Sequence, residues 1–312
     1  MTEPFHLVFC GTPTFAVPTL ERLVGSGFPV RLVVTQPDRP SGRGMQLAVS
    51  PVKRKALELG LPVQQPDKIK NNDEFREQLD AIRPQAIVVV GYGRIIPPWM
   101  IDLPPLGNIN LHASLLPKYR GAAPIQWAIA NGDSVTGVTT MRINAGLDTG
   151  DILLQREASI APDDTSETVA PRLAEMGADL MVETLRRLQD GTVQPVPQDH
   201  ARATLAPMLT REDGRIDFNR SAREILNRLR GFQPWPGAFT TFRGQPLNVW
   251  AAKQATGTLV PGQLRRDGDR LLVGCGEGAV ELLEVQPQGK RRMAARDFVN
   301  GYKPQDGERL GV

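Results

Sequence analysis

Apolar residues in the first part of the chain fall into short, nearly unbroken runs, separated by stretches with helical spacing. FHLVFC (5–10), RLVVT (31–35), QAIVVVGY (85–92) and GNINLHA (107–113) read as buried strands. TFAVPTLERLVGSG (14–27), PVKRKALELG (51–60), NNDEFREQLDAIR (71–83) and AAPIQWAIANG (122–132) read as helices, with Gly or Asn-Gly closing most of them. VTGVTTMRI (135–143) alternates enough for a further strand, and residues 166–191 make a long helix. Thr165 and Thr168 are candidates for its cap, and Pro171 must lie early in it or kink it. Strands alternating with helices, and apolar nearly throughout, predict an α/β fold: a Rossmann-like, doubly wound, mostly parallel sheet covered on both faces.

The pattern changes after a proline-rich polar stretch, TVQPVPQDHARATLAPML (192–209). A short helix at 221–231 precedes five strand candidates: AFTTF, LNVWAA, GTLVPG, RLLVGC and AVELLEVQ. AARDFVNG (294–301) reads as a closing helix. Short strands separated by turn residues predict a smaller OB-like β-barrel. The expected organisation is therefore a domain over 1–190, a linker over 191–206 and a second domain over 207–312.

Composition adds three points. With 40% hydrophobic and 23% charged residues among 312, the chain supports sizeable cores rather than disorder. It has no long apolar span, and MTEPFHLVFCG reads as a first strand, so a cytoplasmic protein is expected. The two cysteines form no metal or CxxC spacing, and free thiols are expected. Charge is uneven: residues 207–312 carry 17 Lys and Arg against 12 Asp and Glu, while residues 1–206 carry 20 against 22. A basic C-terminal third suits a polyanionic partner or a solvated basic surface.

Candidate chemistry gathers after the fourth strand. Asn110 and His112 are two apart, so an extended strand points both to one face, at the end where α/β sheets bind ligands. An amide donor beside an imidazole can polarise a carbonyl and move a proton. The same pair also suits a satisfied structural contact. SLLPKYRG follows, with Pro117 fixing the backbone and Gly121 permitting close approach. Asp148, in INAGLDTGDIL (143–153), could orient a histidine or simply cap its own turn. Neither CGTPTF (10–15) nor GRGMQL (42–47) supplies a dinucleotide fingerprint. His6 and His200 show no partner pattern.

Residues 35–53, TQPDRPSGRGMQLAVSPVK, make a long basic loop of a kind that is functional or disordered. Arg39, Arg43 and Lys53 are its candidate phosphate contacts, joined in the C-terminal third by Lys290, Arg291 and Arg292. Trp235, between prolines, reads as structural.

HASLLPKYRGAAPIQWAI together with LDTGDIL resembles the signature of the 10-formyltetrahydrofolate-dependent formyltransferase superfamily. FCGTPTFAVPTLERL, VVTQPDRPSGRGMQLAVSPVK, VVVGYGRIIP and DFVNGYKP, in that order, make the chain similar to the methionyl-tRNA formyltransferase family along nearly its whole length. The resemblance implies catalytic roles for Asn110, His112 and Asp148. It implies folate contacts at Ser114, Leu115, Leu116 and Pro117, 10-formyltetrahydrofolate as formyl donor without a metal, and methionyl initiator tRNA as acceptor. A monomer is expected by default. Competing readings are a formyltransferase acting on a small amine such as a nucleotide-sugar, a folate hydrolase, and an idle RNA-binding protein on the same fold.

Overall fold

Unbroken burial decides the first sheet. The structure is a computed structural model that describes residues 5–41 and 46–311. In chain order it begins with β1 (Leu7–Gly11), α1 (Val17–Gly25), β2 (Val30–Val34), β3 (Arg39–Ser41), β4 (Gln46–Ala48) and α2 (Pro51–Glu58). There follow β5 (Val63–Gln64), α3 (Asp73–Ile82), β6 (Ala86–Val90), α4 (Pro98–Ile101) and β7 (Asn108–His112). Every residue of β1 and β6 is buried, and these two strands pair in parallel at the centre. After α5 (Pro124–Ala130) come β8 (Val135–Arg142), β9 (Ile152–Ser159) and α6 (Ser166–Gln189).

The sheet order is β5-β2-β1-β6-β7-β8-β9. Its first five strands are parallel, while β8 and β9 join antiparallel. The strand order reverses between β1 and β6, as in a doubly wound sheet. One face packs Val8, Leu32, Ile87 and Val89 against Phe75, Leu79 and Met100. On β7 the alternate residue Leu111 meets Gly177 of α6, where a Cβ would come within 2.6 Å of the leucine. β9 lies outside the predicted strands. Its ILLQREAS alternates partly buried with exposed positions after Leu153, as a half-covered edge strand does, and charged residues break its apolar run.

Local capping follows the sequence closely. Ser50 accepts from the Lys53 amide at the start of α2, and Asn72 from the Phe75 amide at the start of α3. The predicted Thr165–Thr168 pair is reciprocal, each backbone N–H donating to the other's hydroxyl. Pro171 sits in the second turn of α6.

Two compact units result. One holds residues up to Gly121 with Val135–Ser159 and Ala170–Leu205; the other holds Ala122–Ser134, Ile160–Val169 and residues from Ala206 onward. The second unit contains α7 (Ala222–Gly231), β10 (Ala238–Phe242), β11 (Gln245–Ala255), β12 (Leu264–Asp267), β13 (Arg270–Gly274), β14 (Ala279–Pro287), β15 (Met293–Ala294) and α8 (Ala295–Tyr302). Its antiparallel sheet runs β10-β11-β14-β13-β12, with β15 on β14. Bridges Phe242↔Leu310 and Gln263↔Arg309 lay the C-terminal segment along β10 and beside β12. Each edge thereby gains a bridging partner at one end, one way in which small β folds limit open ladders.

One expected strand moves. GTLVPG (257–262) is not a strand, because Pro261 cannot donate to a ladder. The ladder starts instead at Leu264 and turns through Gly268, at φ +61°, into β13. Cys10 and Cys275 are free and buried; burial raises both thiols, that of Cys275 to about 11.

Candidate functional site

β7 delivers the site. Asn110, partly exposed, and His112, 6% exposed, leave the strand on the same face at its carboxyl end. Among the described residues no hydrogen bond occupies the Asn110 side-chain amide. The His112 imidazole is fixed from behind: its Nε2 lies 2.8 Å from the Tyr119 carbonyl. A carbonyl only accepts, so Nε2 carries the proton and donates. In the neutral ring Nδ1 is then an acceptor, and it faces Asp148 Oδ2 at 3.7 Å. That separation is too long for a direct hydrogen bond and short enough for strong attraction once the ring gains a proton.

Both loops that hold His112 are backbone-strained. Five described residues other than glycine have positive φ. Arg83 and Lys303 close helices, and Arg243 with Gly244 turns β10 into β11. The remaining two are Tyr119 (φ +61°) and Asp148 (φ +49°), the two residues that flank the imidazole. Strain of this kind persists where surrounding contacts over-determine the backbone. The Gly121 amide donates to Asp148 Oδ2 at 2.8 Å, and Asn144 Oδ1 accepts from Gly146 and Thr149. Gly150 ends the loop, where a Cβ would come within 1.8 Å of the Arg142 carbonyl oxygen.

The SLLP turn is built in two layers. Ser114 is fully buried; its hydroxyl donates to Lys118 and its carbonyl accepts from Thr139. Leu116 is buried, with its amide bonded to Thr139 and its carbonyl to Gln155. Leu115 and Pro117 keep partly exposed apolar surface. A peptide bond in the cis form joins Leu116 to Pro117.

The predicted phosphate contacts differ among themselves. Arg39 is exposed on β3, and Arg43 lies outside the described residues. Lys53 is turned inward: its Nζ lies 2.5 Å from Asp38 Oδ2 and 2.5 Å from Gln65 Oε1. Hydrogen bonds from Lys53 and Gln65 hold the Asp38 carboxyl below its ordinary range. Lys290, Arg291 and Arg292 are all exposed, and Arg292 also pairs with Glu284 and lies over the Trp250 ring. Arg215 and Arg220 are likewise paired, with Glu212 and with Asp217 and Glu224. Trp235 is more than half exposed.

Sequence reasoning passed over two residues at this site. His200, read as partnerless, lies 3.2 Å through Nδ1 from Arg120. Gln198, in the supposed linker, bonds the Asp148 loop. A glutamine in a polar, proline-rich stretch carries no local signal of burial.

A family model described as formyl transferase matches residues 6–185, and one described as formyl transferase, C-terminal domain, matches residues 208–303. The chain is 70% identical to the methionyl-tRNA formyltransferase of Koribacter versatilis, over 98% of each chain. Among solved structures it resembles an N-formyltransferase from Helicobacter canadensis, in complex with folinic acid and dTDP-3-aminofucose, with TM-score 0.67 and 18% identity over 90% of this chain and 98% of that one. It also resembles HypX from Aquifex aeolicus in complex with tetrahydrofolic acid, with TM-score 0.62 and 16% identity over 97% of this chain and 48% of that one. At these identities the two structures speak for the fold.

Proposed function

The chain belongs to the methionyl-tRNA formyltransferase family, and from that membership we propose that Asn110, His112 and Asp148 transfer the formyl group of 10-formyltetrahydrofolate to the α-amino group of methionyl initiator tRNA. The product supports translation initiation. One observation carries the assignment of residues: an unoccupied Asn110 amide and an acceptor nitrogen of His112 lie at one strand end, with a carboxylate 3.7 Å from the ring.

The unprotonated amine attacks the formyl carbon, forming a new C–N bond and a tetrahedral oxyanion. The Asn110 amide donates to that oxygen as charge develops, a preorganised contact of the oxyanion-hole type. His112 Nδ1 accepts the proton released by the amine, and Asp148 stabilises the imidazolium. Breaking the bond to the folate nitrogen expels it, and the proton passes to that nitrogen. Leu115 and Pro117 offer apolar surface to the folate, on a turn shaped by buried Ser114 and Leu116. The overall change needs neither a metal nor a covalent nucleophile.

Functionally, the proposed division is a formyltransferase domain at 1–190, a connection at 191–206, and an OB-like tRNA-binding domain at 207–312. Arg39 and Arg43 of the first domain and Lys290 and Arg291 of the second are the direct phosphate contacts, with Arg292 a weaker one. The enzyme works as a cytoplasmic monomer; no described helix is long and apolar enough to cross a membrane.

The test is transfer of labelled formyl from 10-formyltetrahydrofolate. Methionyl initiator tRNA should become labelled. Transfer to a free sugar amine, with none to charged tRNA, would overturn the proposed acceptor. Release of formate without an acceptor would replace transfer by hydrolysis.

A further inference from the structure

A segment that joins the proposed domains is bonded into the site. Gln198 is 6% exposed and uses all of its amide. Its Nε2 donates to the Asp148 carbonyl at 2.9 Å and to the Gly150 carbonyl at 2.7 Å. Its Oε1 accepts from Arg120 Nε at 3.1 Å and from Nη2 at 2.6 Å. This network fixes the amide orientation, because a guanidinium only donates and carbonyls only accept. Arg120 is 7% exposed, and its Nη2 also donates to His200 Nδ1. Thr204 completes the frame: its carbonyl accepts from the Arg120 amide at 2.8 Å and its hydroxyl from the Tyr119 amide at 2.9 Å.

These contacts converge on one geometric problem. Tyr119 holds the imidazole through its carbonyl, and Gly121 holds the Asp148 carboxylate through its amide. Arg120 lies between them in sequence, and Asp148 sits at φ +49°, a backbone state that side-chain-bearing residues rarely adopt. Gln198 links these two strained loops directly, with Arg120 on one side of its amide and the Asp148 loop on the other.

We propose that Gln198 is a positioning residue that sets the Asp148 carboxylate against His112 by tying the Asp148 loop to Arg120. The proposal rests on the reading of Asp148 as a reacting group. Gln198 is buried and its whole amide is engaged by protein groups, so its effect should appear in turnover rather than binding.

Two variants separate the halves of the amide. Gln198→Leu removes its donors and its acceptor. Gln198→Glu keeps an oxygen for Arg120 but sets a carboxylate against two carbonyl oxygens. Steady-state kinetics with 10-formyltetrahydrofolate and methionyl initiator tRNA are measured for both, for Asp148→Asn and for each double variant. Each Gln198 variant should lower kcat by about 10²-fold, the scale of an ångström-sized misplacement of a reacting group, with both KM values within about twofold. In the Asp148→Asn background the further loss should shrink to about threefold or less, because the effect runs through that carboxylate.

An equal loss in both backgrounds, or a changed KM with normal kcat, would overturn the positioning role. If Gln198→Leu fails to fold, Gln198→Glu carries the same cycle. Near-normal turnover in Asp148→Asn would instead remove the underlying assignment of Asp148, whatever the Gln198 variants do. The two failures are thus separate.

Discussion

Two loops leave the carboxyl ends of parallel strands in the first unit, and they are built in opposite ways. The loop after β7 is short, mostly buried and bonded on several sides: Ser114 to Lys118, Leu116 to Thr139 and Gln155, Tyr119 to Thr204, and Gly121 to Asp148. The loop after β2 extends into the β3–β4 hairpin and is fastened near its base, where Asp38, Lys53 and Gln65 meet. A group transfer needs atoms held to fractions of an ångström, while a polymer contact needs reach and charge. The comparison therefore separates residues that should govern kcat from residues that should govern KM for tRNA.

The strongest test lies where the end of β7 and the Asp148 loop meet that first loop. Asn110→Ala, His112→Ala and Asp148→Ala should each lose about 10²–10³-fold in kcat, as expected for a lost transition-state contact. Circular dichroism should show each variant folded. Near-normal turnover in any of them takes that residue out of the chemistry and blurs the contrast between the loops.

Gly150 tests how tightly this region is built. A Cβ there would lie 1.8 Å from the Arg142 carbonyl oxygen, which is backbone and has little room to give. Gly150→Ala should lower stability by about 1–3 kcal/mol, the usual cost of overpacking. It should also reduce kcat about tenfold, because the shifted loop carries Asp148. A melting temperature and a kcat both equal to the parent's would mean that the loop is softer than its contacts suggest.

The same contrast explains what the sequence discloses. Apolar runs locate β1, β2 and β6 because strands buried on both faces need them. Asn110 and His112 are legible because period-two geometry puts them on one face at a strand end. β9 is harder to see, since a half-covered edge strand carries Gln155, Arg156 and Glu157 among its apolar positions. GTLVPG looks like a strand until its Pro261 is weighed. Gln198 and His200 are invisible locally: their roles depend on Arg120, 78 and 80 residues away. The inward turn of Lys53 is hidden as well, because a lysine in a basic loop reads as a phosphate contact until Asp38 is seen beside it.

That lysine gives the next test. Lys53→Met should leave kcat and the folate KM within about twofold while raising KM for tRNA several-fold, by loosening the hairpin that carries Arg39. Asp38→Asn should do the same. Asp38 is held below its ordinary range, so its contribution is complete above about pH 4 and is lost as pH falls through the lowered value. The latch is therefore fully formed at neutral pH, and loss of tRNA affinity in these variants should not depend on pH between 6 and 8, roughly the range where no Asp titrates. A lower kcat with unchanged tRNA KM would join this loop to the chemistry and undo the comparison.

The smallest effects belong to the C-terminal third, where free and neutralised cations can be set against each other. Lys290, Arg291 and Arg292 are all exposed, and Arg292 already pairs with Glu284 and stacks on Trp250. A phosphate gains from a cation by releasing counterions, and a cation already paired with a carboxylate offers less of that release. Lys290→Ala and Arg291→Ala should each reduce the slope of log affinity against log salt by about 1, the change for one lost phosphate contact. Arg292→Ala should change it by less, because that guanidinium already has the Glu284 carboxylate as its partner. All three should leave kcat at saturating tRNA unchanged, since they touch no reacting atom. If Arg292→Ala instead gives the steepest loss, the Glu284 pair opens on binding, and pairing in the free protein is no guide to which cations meet the phosphates.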